Sequence, residues 1–299
     1  MEATLRWSLI TAVAPIAWGT NYFVTHEQLP EGIPLWGAVL RALPAGLLLL
    51  AVRRRRPRGS WWWKSLLLGA LNTSAFFTLI YLAAQRLPTS MAAMVMATSP
   101  VVLMLLAWPV VAERPSFAAL SGAVIGIGGA CLMLLTATVR VDAVGVLASV
   151  SAMVLSSLGY LLSKRWAGQV DVLASTSWQL IAGALILVPP AFVFEGAPPA
   201  LDGAALAGFG YVAVVATAVA FGAWFGGLAH LPAASVGLIG LLNPVTGVLL
   251  GTLLAGDTLG GRQICGIAGV LAGLLLGQPV ATRLVRRFTA VRAGSSALR

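Results

Sequence analysis

The chain is 299 residues long, 59% apolar and only 9% charged, where ordinary soluble domains are about 25% charged and about 45–50% apolar. That balance, with a mean hydropathy of +0.93, excludes a disordered chain, a coiled coil and a water-soluble α/β enzyme. A net charge of +10 does not make a nucleic-acid binder, because the charges are too few to build a basic face on a soluble scaffold.

A bilayer-spanning helix needs about 20 mostly apolar residues. Apolar runs of that kind predict helices near 6–26, 33–52, 65–86, 89–111 and 116–137, then near 143–165, 172–194, 203–229, 232–255 and 259–282. The breaks carry turn or charge signals: Leu29-Pro30-Glu31-Gly32, Arg53 to Lys64, Arg86-Leu87-Pro88, Glu113-Arg114-Pro115, Arg140 to Asp142, and Gly196 to Asp202. Continuous runs rather than ten-residue alternations exclude an outer-membrane barrel. The first run continues through Trp18, Asn21 and Tyr22, too long for a signal-peptide core, so it is read as a retained helix. The expected fold class is an all-α polytopic membrane protein of ten transmembrane helices.

Orientation follows the distribution of Lys and Arg in short loops. With both termini cytoplasmic, 15 of the 19 cations fall inside, three (Arg86, Arg140, Arg262) fall outside and Arg41 lies within a helix. The Arg53–Arg56 run then reads as a topogenic stop, with Trp61, Trp62 and Trp63 as interfacial anchors. The expected location is a bacterial inner membrane, with N- and C-termini in the cytoplasm.

Internal repetition is the most informative feature. An offset of 144 residues pairs Leu87-Pro88 with Leu231-Pro232, Pro100 with Pro244, Glu113 with Asp257, Gly122 with Gly266 and Gly129 with Gly273. The same offset pairs Phe77 with Phe221, while an offset of 140 pairs Gly19 with Gly159 and one of 138 pairs Leu47 with Leu185. Five helices per half is an odd number, so the second half enters the membrane inverted. The expected units are 1–140, 141–282 and a basic cytoplasmic tail, 283–299. Inverted repeats are an architecture of secondary transporters, with the substrate at the repeat interface near the midplane.

The stretches Tyr81–Leu134 and His230–Leu276, with Trp18-Gly19-Thr20-Asn21 and Leu40-Arg41, resemble the repeat of the drug/metabolite transporter superfamily, EamA-type. Asp257 departs from the glutamate usual at its position. The resemblance implies a central cavity lined by helices 1, 3, 4, 6, 8 and 9. It also points toward amino-acid exporters, nearest the aromatic-amino-acid exporters of YddG type. A drug/cation extruder and a lipid-linked sugar flippase are the alternatives within the superfamily.

Pro100 and Pro244 lie near the middle of their spans, after Ser99 and Asn243. Proline removes the helical donor and displaces the carbonyl four residues back, a break tolerated at membrane depth where it lines a cavity or faces protein. They are read as hinges. The cavity-lining candidates are Trp18, Asn21, Tyr22, Asn72, Phe76, Tyr81, Ser99, Ser157, Tyr160, Trp224 and Asn243, whose amides, hydroxyls and rings suit a zwitterion with an apolar or aromatic side chain. Met91, Met94 and Met96 read as ordinary packing. Arg41, a charge deep in a span, reads as a structural group bonding backbone carbonyls. Glu113 and Asp257 read as caps of helices 5 and 10, and Gly122/Gly126 with Gly269/Gly273/Gly277 as small-residue packing ridges.

Cys131 and Cys265 sit in apolar runs, no metal, phosphate-loop or nucleophile motif is present, and no carboxylate falls deep in a span. The expectation is therefore a non-enzyme without metal or cofactor, partnered by a small-molecule substrate and the bilayer and working as a monomer.

Overall fold

A computed structural model describes residues 2–30, 32–87, 89–134, 142–254 and 260–278, apart from the side chains of Tyr22, Phe23, Thr25, His26, Glu27, Ala84, Thr89, Ser90 and Leu254. Every regular element among them is helical. Span 1 is α1 (Glu2–Gln28) and span 2 is α2 (Pro34–Arg53). Span 3 comprises α3 (Trp61–Gly69), a π-helical turn (Ala70–Ala75) and α4 (Phe76–Arg86). Span 4 is α5 (Thr89–Ala97) and α6 (Ser99–Val111), and span 5 is α7 (Phe117–Leu134).

The second half repeats this order. Spans 6 and 7 are α8 (Ala143–Arg165) and α9 (Val172–Glu195). Span 8 is α10 (Gly203–Ala213), a π-helical turn (Val214–Val219) and α11 (Ala220–His230). Span 9 is α12 (Ala233–Gly240) and α13 (Leu242–Leu254), and span 10 is α14 (Gly261–Gly277). Both π turns occupy the same place in their repeats: Ala70 and Val214, where they begin, are 144 residues apart. Spans 4 and 9 both break in mid-helix, at Thr98 and at Leu241.

The packing follows a pseudo-two-fold pattern, in which a contact between two positions recurs between their counterparts. Spans 5 and 10 pair along their glycines. A Cβ on Gly122 would stand 2.5 Å from the Gly273 carbonyl oxygen, and one on Gly129 would stand 2.5 Å from that of Gly266. The two contacts exchange roles, since Gly122 corresponds to Gly266 and Gly129 to Gly273. Small residues thus let the backbones approach where lipid offers no hydrophobic drive to associate. Spans 2 and 7 pair equally closely on the other side, with Gly46 against Ile181 and Ser177.

Ends of these helices are tied by acids. Asp142, Asp171 and Asp202 each accept from the backbone N–H three residues on, at Gly145, Ala174 and Ala205, satisfying free amides of the first turn. Glu195 reaches from span 7 to the start of span 2, accepting from Leu35 N at 2.6 Å and Trp36 N at 2.8 Å. The third helix starts earlier than expected, at Trp61. Trp61 is no lipid-facing anchor: it is buried against Trp166 and Trp178, while Trp62 and Trp63 are exposed. Expected features at Glu31, Pro88, Arg140 and Asp257, and the tail from 283, lie outside the described residues.

Candidate functional site

Each of the two π turns is braced by a polar side chain from a span of the other repeat. Arg41 in span 2 donates from Nε to Thr217 Oγ1 at 3.1 Å and from a terminal nitrogen to the Ala216 carbonyl at 3.4 Å. Its guanidinium lies 4.8 Å from the Phe77 ring centroid, so among the described residues its charge is met by dipoles and a π face. The structural reading of Arg41 is therefore correct in its partners. In the other half, Gln179 of span 7 accepts from Asn72 Nδ2 at 2.8 Å. π turns concentrate at functional sites because they unsettle the regular ladder.

Beside the second π turn lies an aromatic cluster. Trp18 donates from Nε1 to the same Ala216 carbonyl at 3.1 Å and packs against Phe221 and Trp224 at centroid separations of 5.4 and 5.2 Å. Tyr160 meets Trp224 at 5.5 Å and Phe225 at 5.8 Å. Two polar atoms on these elements, Trp224 Nε1 and Asn21 Oδ1, are buried without a hydrogen-bond partner among the described residues. Such groups are uncommon, because a buried unpaired donor or acceptor costs about 1–3 kcal/mol.

The two ends of the bundle are packed unequally. In the first repeat Phe76, Phe77, Ile80 and Tyr81 are only part-buried; their counterparts 144 residues on, Ala220, Phe221, Trp224 and Phe225, are all buried. The same holds for Ala92, Ala93, Met94 and Val95 against Val236, Gly237, Leu238 and Ile239. Across the tight end α12 packs on α6, and a Cβ on Gly237 would lie 3.2 Å from Pro100 Cα. The equivalent pair, α5 and α13, makes no comparable approach among the described residues.

One family model, the EamA-like transporter family, matches this chain twice, over residues 5–135 and 143–277. The chain belongs to the EamA-like transporter family. Among relatives, Protein PecM of Dickeya dadantii (strain 3937) is 33% identical over 269 residues, 89% of this chain and 90% of the relative. A protein of Salmonella typhimurium named a probable amino-acid metabolite efflux pump is 26% identical over 276 residues, 87% and 91% of the two chains. The uncharacterized inner membrane transporter YedA of Escherichia coli (strain K12) is 26% identical over 253 residues, 82% and 81%. One solved crystal structure superposes with a TM-score of 0.82 over 93% of this chain and 98% of the other, at 20% identity, a likeness of fold alone. The protein is thus a multi-pass membrane transporter and not an enzyme.

In this EamA-like transporter Trp18, Tyr160 and Trp224 come together as one cluster, with Asn21 one turn beyond Trp18. Ser99, Asn243 and Pro244 are part-buried at the two helix breaks, and Pro100 is buried. Phe76 packs on Phe77, and Tyr81 OH accepts from Gln85 at the loosely packed end. One candidate turns into a helix interface. Asn72, 1% exposed, turns toward Gln179 and against Gly159, where a Cβ would fall 2.1 Å from its Oδ1. Ser157 is buried at 3% exposure. The Tyr22 side chain lies outside the described residues.

Two polar side chains escaped the sequence reading, Gln179 and Lys164; for Gln179 the 138-residue offset between spans 2 and 7 pairs it with Arg41 and is the signal that finds it. Glu113 is legible as a cap, but of a different helix. Glu113 does not cap span 5, where Ser116 Oγ accepts from Ala119 N at 3.1 Å. Instead its Oε2 accepts from Ala233 N, the first residue of α12, at 2.7 Å, and its Oε1 lies 3.0 Å from Lys164 Nζ. Both acids and amides are at helix termini, but which terminus an acid reaches is decided by tertiary packing.

Proposed function

We propose that this transporter exports small metabolites, foremost amino acids, across a bacterial inner membrane by alternating access. The observation that carries the reading is the unequal burial of two equivalent hairpins. In an inverted repeat, exchange of the two packings between the halves converts an opening on one face into an opening on the other. In this reading the tightly packed end, bearing the turn between spans 8 and 9, is the shut one, and the loosely packed end, bearing the turn between spans 3 and 4, is the open one.

The aromatic cluster of Trp18, Tyr160, Trp224, Phe221 and Phe225 forms the floor of the open side. Trp224 Nε1 supplies an unpaired donor suited to a carboxylate, and Asn21 Oδ1 an unpaired acceptor suited to an ammonium. The rings offer a wall for an apolar or aromatic side chain. A substrate that satisfies both atoms recovers the cost of leaving them unpaired. The relative named a probable amino-acid metabolite efflux pump agrees with that class. The charge bias supports cytoplasmic termini and an open side facing outward, with units 1–140 and 141–282 moving against each other in a monomer and Pro100 and Pro244 as hinges.

The test is uptake of radiolabelled phenylalanine, threonine and tetraethylammonium into proteoliposomes. The amino acids are expected to enter and the quaternary cation to stay out. Trp224→Phe keeps the ring but removes the donor, so it is expected to weaken amino-acid uptake at least fivefold without loss of thermal stability. Uptake of the cation alone overturns the substrate class.

A further inference from the structure

We infer that Lys164 and Glu113 are the lock of the closed face, a gating pair that holds the turn between spans 8 and 9 against spans 4 and 6. Lys164 is at the end of span 6. Its Nζ donates to the Leu228 carbonyl at 2.8 Å and to the Leu231 carbonyl, besides pairing with Glu113 Oε1 at 3.0 Å. Glu113 follows span 4 and its other oxygen accepts from Ala233 N at 2.7 Å. Three contacts thus join two helix ends to one turn, and the ion pair joins the two ends to each other.

The polarity of each contact is set by the helix ends. The last carbonyls of a helix have no partner in their own ladder and carry partial negative charge; the first amides of a helix lack acceptors and carry partial positive charge. Lys164 meets the C-terminal end of α11, and Glu113 meets the N-terminal end of α12. The cation and the anion each sit on the pole that attracts them, and each also faces the other. At side-chain exposures of 13% and 33%, the pair is partly withdrawn from water. A cleft of about 250 Å³, lined by Met104, Ala107, Glu113, Arg114, Pro232 and Ala234 among others, gives water a route to Glu113 as the contacts separate.

Among the described residues the lock is found on one face. The 140-residue offset that pairs Gly19 with Gly159 places Val24 opposite Lys164, so the equivalent helix end carries no lysine. To open the shut face, the turn must leave spans 4 and 6, and its three contacts with Lys164 and Glu113 must break together. Among the described residues these contacts hold one turn only, which biases the resting protein toward the state seen here, with the other side open. Lys164 and Glu113 are therefore positioning residues of the transport cycle, with Lys164 one helical turn beyond Tyr160 of the aromatic floor. The inference rests on the alternating-access reading, but its test uses no substrate, so an error in substrate class does not touch it.

The experiment measures N-ethylmaleimide alkylation of purified protein in detergent, after Cys131→Ala and Cys265→Ala. A reporter introduced by Val236→Cys sits on the buried face of α12 (0% exposed), and one introduced by Val95→Cys sits on part-buried α5. Lys164→Met and Glu113→Gln are each expected to raise alkylation at position 236 at least fivefold and to lower it at 95. Lys164→Arg is expected to stay within twofold of the parent. The exchanged pair, Lys164→Glu with Glu113→Lys, is expected to remain fast, because each charge then faces the wrong helix pole. Unchanged alkylation at 236 in both single variants, with monodisperse protein, overturns the lock. Return of the exchanged pair to the parent rate overturns the role of the helix ends. Should Lys164→Met fail to fold, the near-isosteric Glu113→Gln decides alone.

Discussion

Arg41 donates from Nε to the Thr217 hydroxyl at 3.1 Å, so a side chain of the first repeat fastens the π turn of the second. Gln179, its counterpart in span 7, fastens Asn72 on the π turn of the first. Each repeat holds the π turn of the other. The Ala216 carbonyl takes donors from both Arg41 and Trp18, which links spans 1, 2 and 8 at a single oxygen.

Removing Arg41 should therefore cost stability rather than substrate recognition. Arg41→Ala leaves Thr217 without this donor and the Phe77 face without its cation. A hydrogen bond to a charged group contributes about 1.5–3 kcal/mol, so a loss of about 2 kcal/mol is expected. It is read as a lower thermal midpoint in detergent. Arg41→Lys should recover part of it, since an ammonium lacks the planar fork that serves two acceptors at once.

The glycine crossing of spans 5 and 10 gives a sharper contrast between neighbours in sequence. A Cβ on Gly129 would meet the Gly266 carbonyl oxygen at 2.5 Å and Val270 N at 2.7 Å, both backbone atoms that cannot turn aside. Gly128, next to it, has open space within 4 Å. Gly129→Ala should destabilise by about 1–3 kcal/mol through overpacking. Gly128→Ala should be neutral or slightly stabilising, because alanine is the better helix former. Thermal midpoints of the two variants, measured side by side, check this.

Asp171 offers a pH-dependent contribution outside the membrane-spanning helices. Burial by itself would raise its carboxyl; the hydrogen bonds from Arg53 and Ala174 N and the charges of Arg53 and Arg55 outweigh that and hold it below its ordinary 3.8. A carboxyl lowered in the folded state favours folding above its unfolded value and loses that contribution as pH falls through the folded one. The stability gap between the parent protein and Asp171→Asn should be full at pH 7. It should shrink only below pH 3.8, as protonation makes Asp171 resemble the amide. A gap that is flat across this range contradicts the assignment.

Energy coupling follows from where acids sit. Among the described carboxylates, Glu113, Asp142, Asp171, Glu195 and Asp202 all lie at helix ends, where they hold backbone amides. Proton-driven carriers place a titrating acid within the membrane. Uptake into proteoliposomes should thus persist without a pH difference and follow the substrate gradient. Strong stimulation by an imposed pH difference, with matched substrate on both sides, counts against this.

Much of the fold was legible because its signals are local. Apolar runs of membrane length, prolines after Thr98-Ser99 and Leu242-Asn243, and glycines four or seven apart all appear in one dimension, and the 144-residue offset already links the two π turns. What stayed hidden depends on which helices meet. Glu113 reads as a cap in sequence and is one, but of span 9 rather than span 5. Asn72 reads as a cavity amide because it is polar at mid-span, yet Gln179 turns it into the wall between spans 3 and 7. Tryptophans at 61–63 share one composition signal, and only the position of Trp178 separates the buried one from the exposed two.

The midplane prolines remain the most direct test of the cycle. Pro100 and Pro244 follow the breaks at Thr98 and Leu241, where the chain tightens: Thr98 N bonds Val95 O at 3.0 Å, and Leu241 N bonds Leu238 O at 3.1 Å. Neither proline can donate to the carbonyl four residues back, at Met96 and Gly240, so each break is maintained by a missing donor. Pro100 also abuts Gly237 across the tightly packed end, which ties the break in span 4 to the first half of span 9. Pro100→Ala and Pro244→Ala restore a donor and favour a straight helix by about 3 kcal/mol, so folding should survive. Transport should fall at least fivefold, because a straight span cannot adopt both the tight packing of α12 on α6 and the loose packing of α5. Pro198→Ala, in the exposed segment between spans 7 and 8, is the control and should be silent. Initial uptake rates per monodisperse reconstituted protein decide the matter: wild-type rates in both midplane variants would make the prolines packing features with no part in gating.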